Sequence, residues 1–356
     1  MQLMLKNTVI MDVEENGACH VRHPDLIPFF LRGRKITYPD FVEWAANRTL
    51  SVGRCFAKEI LNLLRLSQNN RFAVSLACRG LSLSDAYWIR QEGDDAVWEE
   101  INLFTHPLSL FVSEVSLSGG NIRFVTESYQ QGAVHTPELT TLGVNAKAWI
   151  RQQDGLHLHK VGKYEIPACR ILEALGITHI SYEVSDAEVL SPYLSDERRE
   201  WIGSVGEQMV CSKLFTSEDR GLVTFEDFEV YCHTQGKDAY HEAAKVDQKA
   251  YHEMLLADGI LNNVDRHKQN WGFFMDHATG ALTGFCPLFD HDQSFSSYTN
   301  AHAQTVSEEM SLMEAALIAG NTLQTDVSRV LEMEIPPYLS EAQWQHVRER
   351  VKILQG

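Results

Sequence analysis

The chain reads as an α+β protein with two lobes, a mixed, β-rich small lobe followed by a mainly helical large lobe, and an N-terminal extension ahead of both. Three observations carry this reading. Lys147–Arg151 and Leu156–Val161 alternate on either side of Gln-Gln-Asp-Gly, a strong hairpin signal. Between Asp238 and Leu261, Ala243, Val246, Ala250, Met254, Ala257 and Leu261 recur at steps of three and four, which predicts one long helix with an apolar stripe. From residue 216 onward helical patterns dominate, whereas 1–110 is mixed. The expected organisation is an extension over 1–110, a small lobe over 111–215 and a helical lobe over 216–356.

Element by element, the start of the chain through Glu14 alternates enough for a strand or hairpin, and Tyr38–Leu66 predicts one or two helices. Leu81–Trp98 carries Gly-Leu-Ser-Leu-Ser-Asp-Ala-Tyr-Trp-Ile, and Tyr87, Trp88 and Trp98 are expected in the core. After the hairpin, Glu165–Leu175 predicts a helix closed by Gly176, a residue that adopts the left-handed cap conformation without penalty. Ile180–Val184 and Gln208–Cys211 follow as strands. Beyond the long helix, Trp271–Met275 and Ala281–Phe285 flank Asp-His-Ala-Thr-Gly as a second hairpin. Helices over Glu308–Ala319 and Ala342–Leu354 complete the tail.

Composition narrows the function. The 356 residues are 44% hydrophobic, enough for a substantial core, and carry a formal net charge of −17. A diffuse acidic surface disfavours direct binding to nucleic acid or to an anionic membrane. The seven cysteines form no C-x-x-C pair, and their odd number fits reduced thiols, which together with the absence of a leader pattern predicts a cytoplasmic protein. His157 and His159 have no Cys or carboxylate at ligand spacing and are expected to pack in the lobe or face solvent.

The chemistry concentrates in Leu261–Asp290. Asp265 and Asn270 stand five apart in Val-Asp-Arg-His-Lys-Gln-Asn, and Asp290 ends Pro-Leu-Phe-Asp twenty residues later. Phosphoryl transfer needs a carboxylate to orient and deprotonate a hydroxyl, and oxygen ligands to hold Mg²⁺ on nucleotide phosphates. Asp265 is the expected base, with Asn270 and Asp290 as magnesium ligands brought together by the hairpin between them. His267 is expected to fix the loop's shape through its backbone. Arg266 is a candidate either for phosphate contact or for anchoring the loop on acidic neighbours. His291 and Asp292 are candidates to assist the metal, Asp292 equally to cap a turn. In the small lobe, strand alternation puts Leu156, Leu158 and Lys160 on one face, so Lys160 is the first candidate for the ATP phosphates. Lys147 and Lys163 are its rivals, and Glu165 is the expected ion-pair partner. Thr140–Lys147, with its single Gly143, is a candidate phosphate-covering loop. Adenine is expected to meet backbone near Met209–Lys213, with Met209 and Cys211 at the site.

These residues together resemble the HipA-like serine/threonine kinases, which have an atypical protein-kinase fold and occur in toxin–antitoxin loci. The resemblance rests on the N-x-D-R-H-x-x-N-x-G loop (Asn263, Asp265, Arg266, His267, Asn270, Gly272) and on P-L-F-D ending in Asp290. It is supported by Gly143–Lys147, Lys160 and Glu165, and it covers roughly residues 130–300. The R-G-L-S-L-S-D-x-Y-W-I run extends it to a subset of HipA-domain proteins. The loop is also similar to that of phosphoinositide-3-kinase-like enzymes, so a lipid or small-molecule hydroxyl stays open as acceptor, as does a non-catalytic nucleotide-binding regulator. The resemblance implies Mg²⁺ and ATP, a protein substrate phosphorylated on serine or threonine, and an antitoxin-like protein partner. It also implies self-phosphorylation in the loop ahead of Gly143, with Thr140 and Thr141, and more distantly Thr136, as acceptors.

Overall fold

A computed structural model describes residues 1–119, 136–297, 301–306 and 309–356. Two compact units form. The first comprises Met1–Val161, Ser185–Gly221 and Met275–Ala281, and the second Gly162–Val184, Leu222–Phe274 and Leu282–Gly356.

In the first unit, β1 (Gln2–Leu5) and β2 (Thr8–Val13) form the hairpin expected of the first residues. With β3 (Cys19–Val21) and β4 (Tyr87–Arg90) they make an antiparallel sheet in the order β3-β2-β1-β4. Tyr87, Trp88 and Trp98 are all buried, and the polar ends of their rings are satisfied. Tyr87 donates to the Leu26 carbonyl, Trp88 to the Lys6 carbonyl and Trp98 to Glu218. Helices α1 (Tyr38–Asn47), α2 (Ala57–Leu63), α3 (Arg71–Ala77), α4 (Trp98–Ile101) and α5 (Leu110–Ser118) follow. A second antiparallel sheet contains β5 (Lys147–Gln152), β6 (Gly155–Val161) and β8 (Met209–Lys213), with β6 in the middle.

The N-terminal segment is not a separate extension. The Leu50 amide donates to the Leu139 carbonyl and the Cys55 amide to the Val144 carbonyl, each at 2.7 Å. Arg54, buried, donates to the carbonyls of Glu138, Thr141 and Lys147 and to the Ser116 hydroxyl. The expected boundary at 110/111 therefore does not divide compact units. Nor does the one at 215/216: helix α6 (Glu165–Leu175), assigned from sequence to the small lobe, belongs to the second unit.

The second unit holds α6, β7 (Tyr182–Val184), α9 (Phe225–Thr234), α10 (Ala239–Val246), α11 (Gln248–Leu261), α12 (Leu312–Leu323) and α13 (Glu341–Leu354), while α7 (Ala187–Leu190) and α8 (Asp196–Ser204) stay with the first. Strands β9 (Arg220–Thr224), β10 (Gly272–Asp276) and β11 (Leu282–Phe285) form a sheet in the order β11-β10-β9, to which β9 contributes from Leu222 onward and β10 up to Phe274 within this unit. The long helix expected over Asp238–Leu261 is two. Asp247 takes an extended conformation (φ −156°, ψ 95°), and its carboxylate accepts from the Ala250 amide, so a capping side chain overrides an uninterrupted apolar stripe. The tail helix α12 starts at Leu312, capped by Ser311; the expected start at Glu308 lies outside the described residues. Among the described residues no helix is long and apolar enough to cross a membrane.

Candidate active site

Helix α11 delivers the chain into the polar loop. It ends at Asn262 in the left-handed conformation (φ 48°), and Asn262 and Asn263 are both buried. The other end of the loop is anchored by Trp271, 1% exposed and stacked on Phe225 with ring centroids 4.0 Å apart. Aromatic pairs of this kind contribute about 0.5–1.5 kcal/mol beyond area burial. Gly272 of the motif has a steric reason: a Cβ there would run into the Val223 carbonyl and come within 2.9 Å of the Thr224 Cα.

Between these anchors the loop is folded around Arg266. Its guanidinium is buried and donates from Nε and Nη2 to the Asp258 carboxylate at 3.0–3.2 Å. Burial alone would lower its pKa, but the Asp258 carboxylate more than offsets this and holds it above the ordinary value. Nη1 donates to two carbonyls at 2.7 Å each, those of Asn270 and Phe289. Of the two roles left open by the sequence, Arg266 takes the anchoring one, and its donors are directed into the protein interior.

Asn270 donates its side-chain amide to the Asp265 carbonyl at 2.9 Å, which leaves Oδ1 as the acceptor end of a buried side chain. Asp290 follows no regular strand. It lies five residues beyond the end of β11, after an isolated bridge between His179 and Leu288, and adopts a left-handed conformation (φ 60°). Such backbone is uncommon outside glycine, although Asp tolerates it better than most, and it concentrates at functional sites. His267 does what its spacing implied: Nδ1 accepts from the Gln269 amide at 3.2 Å, and Nε2 stands 4.0 Å from Asp265 Oδ2. An amide oxygen and a carboxylate are hard donors of the kind Mg²⁺ accepts alongside phosphate oxygens, so Asn270 and Asp290 fit that ion.

Two supporting residues, Asp258 and Phe289, were not singled out by the sequence reading, and a third, His291, was put forward there only as an aid to the metal. Asp258 reads as one polar position in an apolar helix, yet it is the buried counter-charge of Arg266, and it also accepts from Asn263 at 3.2 Å. Phe289 contributes its carbonyl. His291 is fully buried; its amide donates to Glu165 Oε2 at 3.0 Å, and its Nδ1 lies 3.5 Å from the same oxygen. Burial pushes its pKa down. His291 thus orients Glu165, itself fully buried at the start of α6.

In the first unit, Lys147 and Lys160 are directly opposite one another on β5 and β6. Opposed residues of antiparallel strands share a face, so the two rivals stand side by side, both buried. Gly143 (φ 94°) closes over Lys147, whose ammonium occupies the space a Cβ at 143 would need. Lys163 lies in the second unit, its ammonium 5.2 Å from the Tyr164 ring centroid. Register fixes the two faces of β8. Val210 opposes Lys160 and Ser212 opposes Leu158, so these two share the lysine face. The side chains of Met209 and Cys211 point to the other face, Met209 into a core with Ala148 and Ile150. His159 is also on that face, buried between Ser185 and Gln152, and burial pushes its pKa down to about 4. Thr140 is buried and donates to the Leu81 carbonyl at 2.8 Å, Thr141 donates to the Pro137 carbonyl at 2.8 Å, and Thr136 bonds Glu138.

No protein-family description matches the chain, and no curated protein does. Solved structures do. A chain of the HipA–HipB–operator DNA complex from the toxin–antitoxin system of Shewanella oneidensis MR-1 is similar over 99% of this chain and 95% of its own length, with a TM-score of 0.54 and 14% identity. The Helicobacter pylori proinflammatory kinase CtkA matches 59% of this chain and 90% of its own, with a TM-score of 0.40 and 15% identity. Nearly the whole chain therefore has the α+β fold of HipA, the kinase-like fold its loop motifs resemble.

Proposed function

We propose that the chain is a Mg·ATP-dependent serine/threonine protein kinase of HipA type. The observation that carries this is the Arg266 clamp. One buried nitrogen holds the carbonyl of Asn270 and the carbonyl just before Asp290, drawing the segments of both proposed metal ligands to the base-bearing loop. In this reading the Asp265 carboxylate accepts the acceptor hydroxyl's proton as that oxygen attacks the γ-phosphorus and the bond to the β,γ-bridging oxygen breaks, releasing ADP. Asn270 Oδ1 and the Asp290 carboxylate would hold magnesium, whose chemistry there would be to neutralise charge on the phosphates. Lys147 and Lys160, sharing one face, concentrate positive charge suited to polyphosphate, with Gly143 letting backbone approach. In the second unit, Glu165 is held by His291 as a carboxylate available to a cation.

The same reading carries with it a cytoplasmic protein with an antitoxin-like partner, since the HipA neighbour was solved with HipB and DNA. Self-phosphorylation at Thr140 requires the Thr136–Lys147 segment to open, because the hydroxyl is buried and bonded. Asp265→Ala and Asp290→Ala should each abolish transfer from γ-labelled ATP while unfolding midpoints stay unchanged; transfer retained in both variants would refute the assignment. Lys160→Ala should weaken ATP binding in calorimetry, and unchanged affinity would shift the phosphate role to Lys147.

A further inference from the structure

A cavity of about 920 Å³ opens in the second unit on the outer side of the Asp265 loop. This is at the upper end of ligand pockets, which span roughly 300–1,000 Å³, and has room for a short stretch of peptide. His267 lines it, and the Nε2 of that residue is 4.0 Å from Asp265 Oδ2, so an acceptor seated there lies beside the proposed base.

The wall has a definite charge. Lys268 is neutralised by Glu229, whose two carboxylate oxygens stand 2.6 and 2.7 Å from its Nζ. Glu226 accepts from an uncharged donor, Gln269 Nε2 at 2.6 Å, and with Glu229 sets two carboxylates against the single cation of Lys268, so this part of the wall carries net negative charge. Asp265 adds a further carboxylate behind the lining His267, its Oδ2 4.0 Å from that ring's Nε2. Tyr240, its hydroxyl donating to the Gln304 carbonyl at 2.9 Å, and His302 add aromatic rings to the lining. Carboxylates beside aromatic faces suit a guanidinium, which pairs with the former and stacks on the latter. An anionic headgroup would meet repulsion from Glu226, Asp265 and a chain of charge −17.

We propose that this cavity receives a cationic segment of the acceptor, a serine or threonine flanked by arginine or lysine, and that Glu226 selects for it. The inference rests on the kinase reading for the position of the base, but it is tested by binding, which needs no catalysis.

The full chain is titrated into a fluorescein-labelled peptide with one serine between arginines, and into the same peptide with glutamates in their place. The arginine peptide should bind at least about tenfold more tightly, a difference expected of a charge pair in a partly desolvated site. Glu226→Lys should abolish this preference, and Glu226→Gln should reduce it, while ATP affinity by calorimetry stays unchanged and reports an intact fold. Equal binding of the two peptides, or an unaltered preference in both variants, would overturn the proposal. Labelled-ATP transfer is measured alongside. Arginine-selective binding with no transfer to any acceptor would refute the kinase reading and leave the cavity assignment standing. Transfer to phosphoinositide vesicles without arginine-selective binding would do the reverse.

Discussion

Arg266 carries its charge into the interior, where it donates to the Asp258 carboxylate of α11 and to the carbonyls of Asn270 and Phe289. Removing it would leave Asp258 as a buried, uncompensated carboxylate, a change that costs about 3–5 kcal/mol in comparable buried pairs. Arg266→Ala should therefore lose that much unfolding free energy in urea titration, along with transfer activity. Arg266→Lys should retain part of the stability but not the activity, because one ammonium cannot hold Asp258 and both carbonyls in the forked geometry. A loss below about 1 kcal/mol for the alanine variant would show that the clamp is not structural. The side chains proposed for chemistry are ones whose types and spacing phosphate and metal would set, and such a pattern can be read from sequence. Asp258 could not be read so, since a single acid in an apolar helix gives no sign of whether it faces water or an arginine eight residues on. His159 supplies a pH test at the same scale. Its folded pKa of about 4 lies below the ordinary 6.5, so the unfolded chain takes up a proton first and stability falls as pH drops from about 6.5 toward 4. Between pH 7 and pH 5 the wild type should lose about 2 kcal/mol more than His159→Gln, and equal losses would argue against a buried neutral imidazole.

Among the elements, the hairpins and capped helices follow their local signals closely. β5–β6 turns at Gln153–Asp154 and β10–β11 at Asp276–Gly280, and α6 ends at Gly176 (φ 69°), because alternation and turn chemistry act over a few residues. The single helix expected over Asp238–Leu261 failed for an equally local reason, the Asp247 cap, which a count of apolar positions does not weigh. What no local signal reveals is the fastening of the Thr136–Lys147 segment. Arg54 reaches it from 84 residues away, and Glu138 is buried beside it, accepting from Trp149, Ser113 and Thr136. Desolvation pushes Arg54 down to about 10 and Glu138 up, each group paying for burial that the other makes tolerable. Arg54→Ala should destabilise the first unit by about 3–5 kcal/mol and raise hydrogen exchange at residues 138–147. Unchanged exchange there would mean that the segment is held by the β5 ladder alone.

At the scale of the whole molecule, the α+β class and the HipA fold were legible in the sequence. Composition changes at 110 and 216, but contacts made by Leu50, Arg54 and Cys55 cross the first of these, and long-range hydrogen bonds leave no mark on composition. The net charge of −17 has a direct consequence, since affinity for duplex DNA rests on clustered cations that release counterions. The chain alone should not retard a duplex in a mobility-shift assay at physiological salt, and a shift that weakens steeply with salt would reveal a basic surface its composition hides.

The account stands or falls on phosphate transfer by the Asp265 loop. Purified protein is incubated with Mg²⁺ and γ-labelled ATP beside the Asp265→Ala variant, and labelled residues are located by mass spectrometry. Label in the wild type alone, on Thr140, Thr141 or an added serine peptide, is the expected result. Equal label in both proteins, or none in either together with no ATP binding by calorimetry, would contradict it.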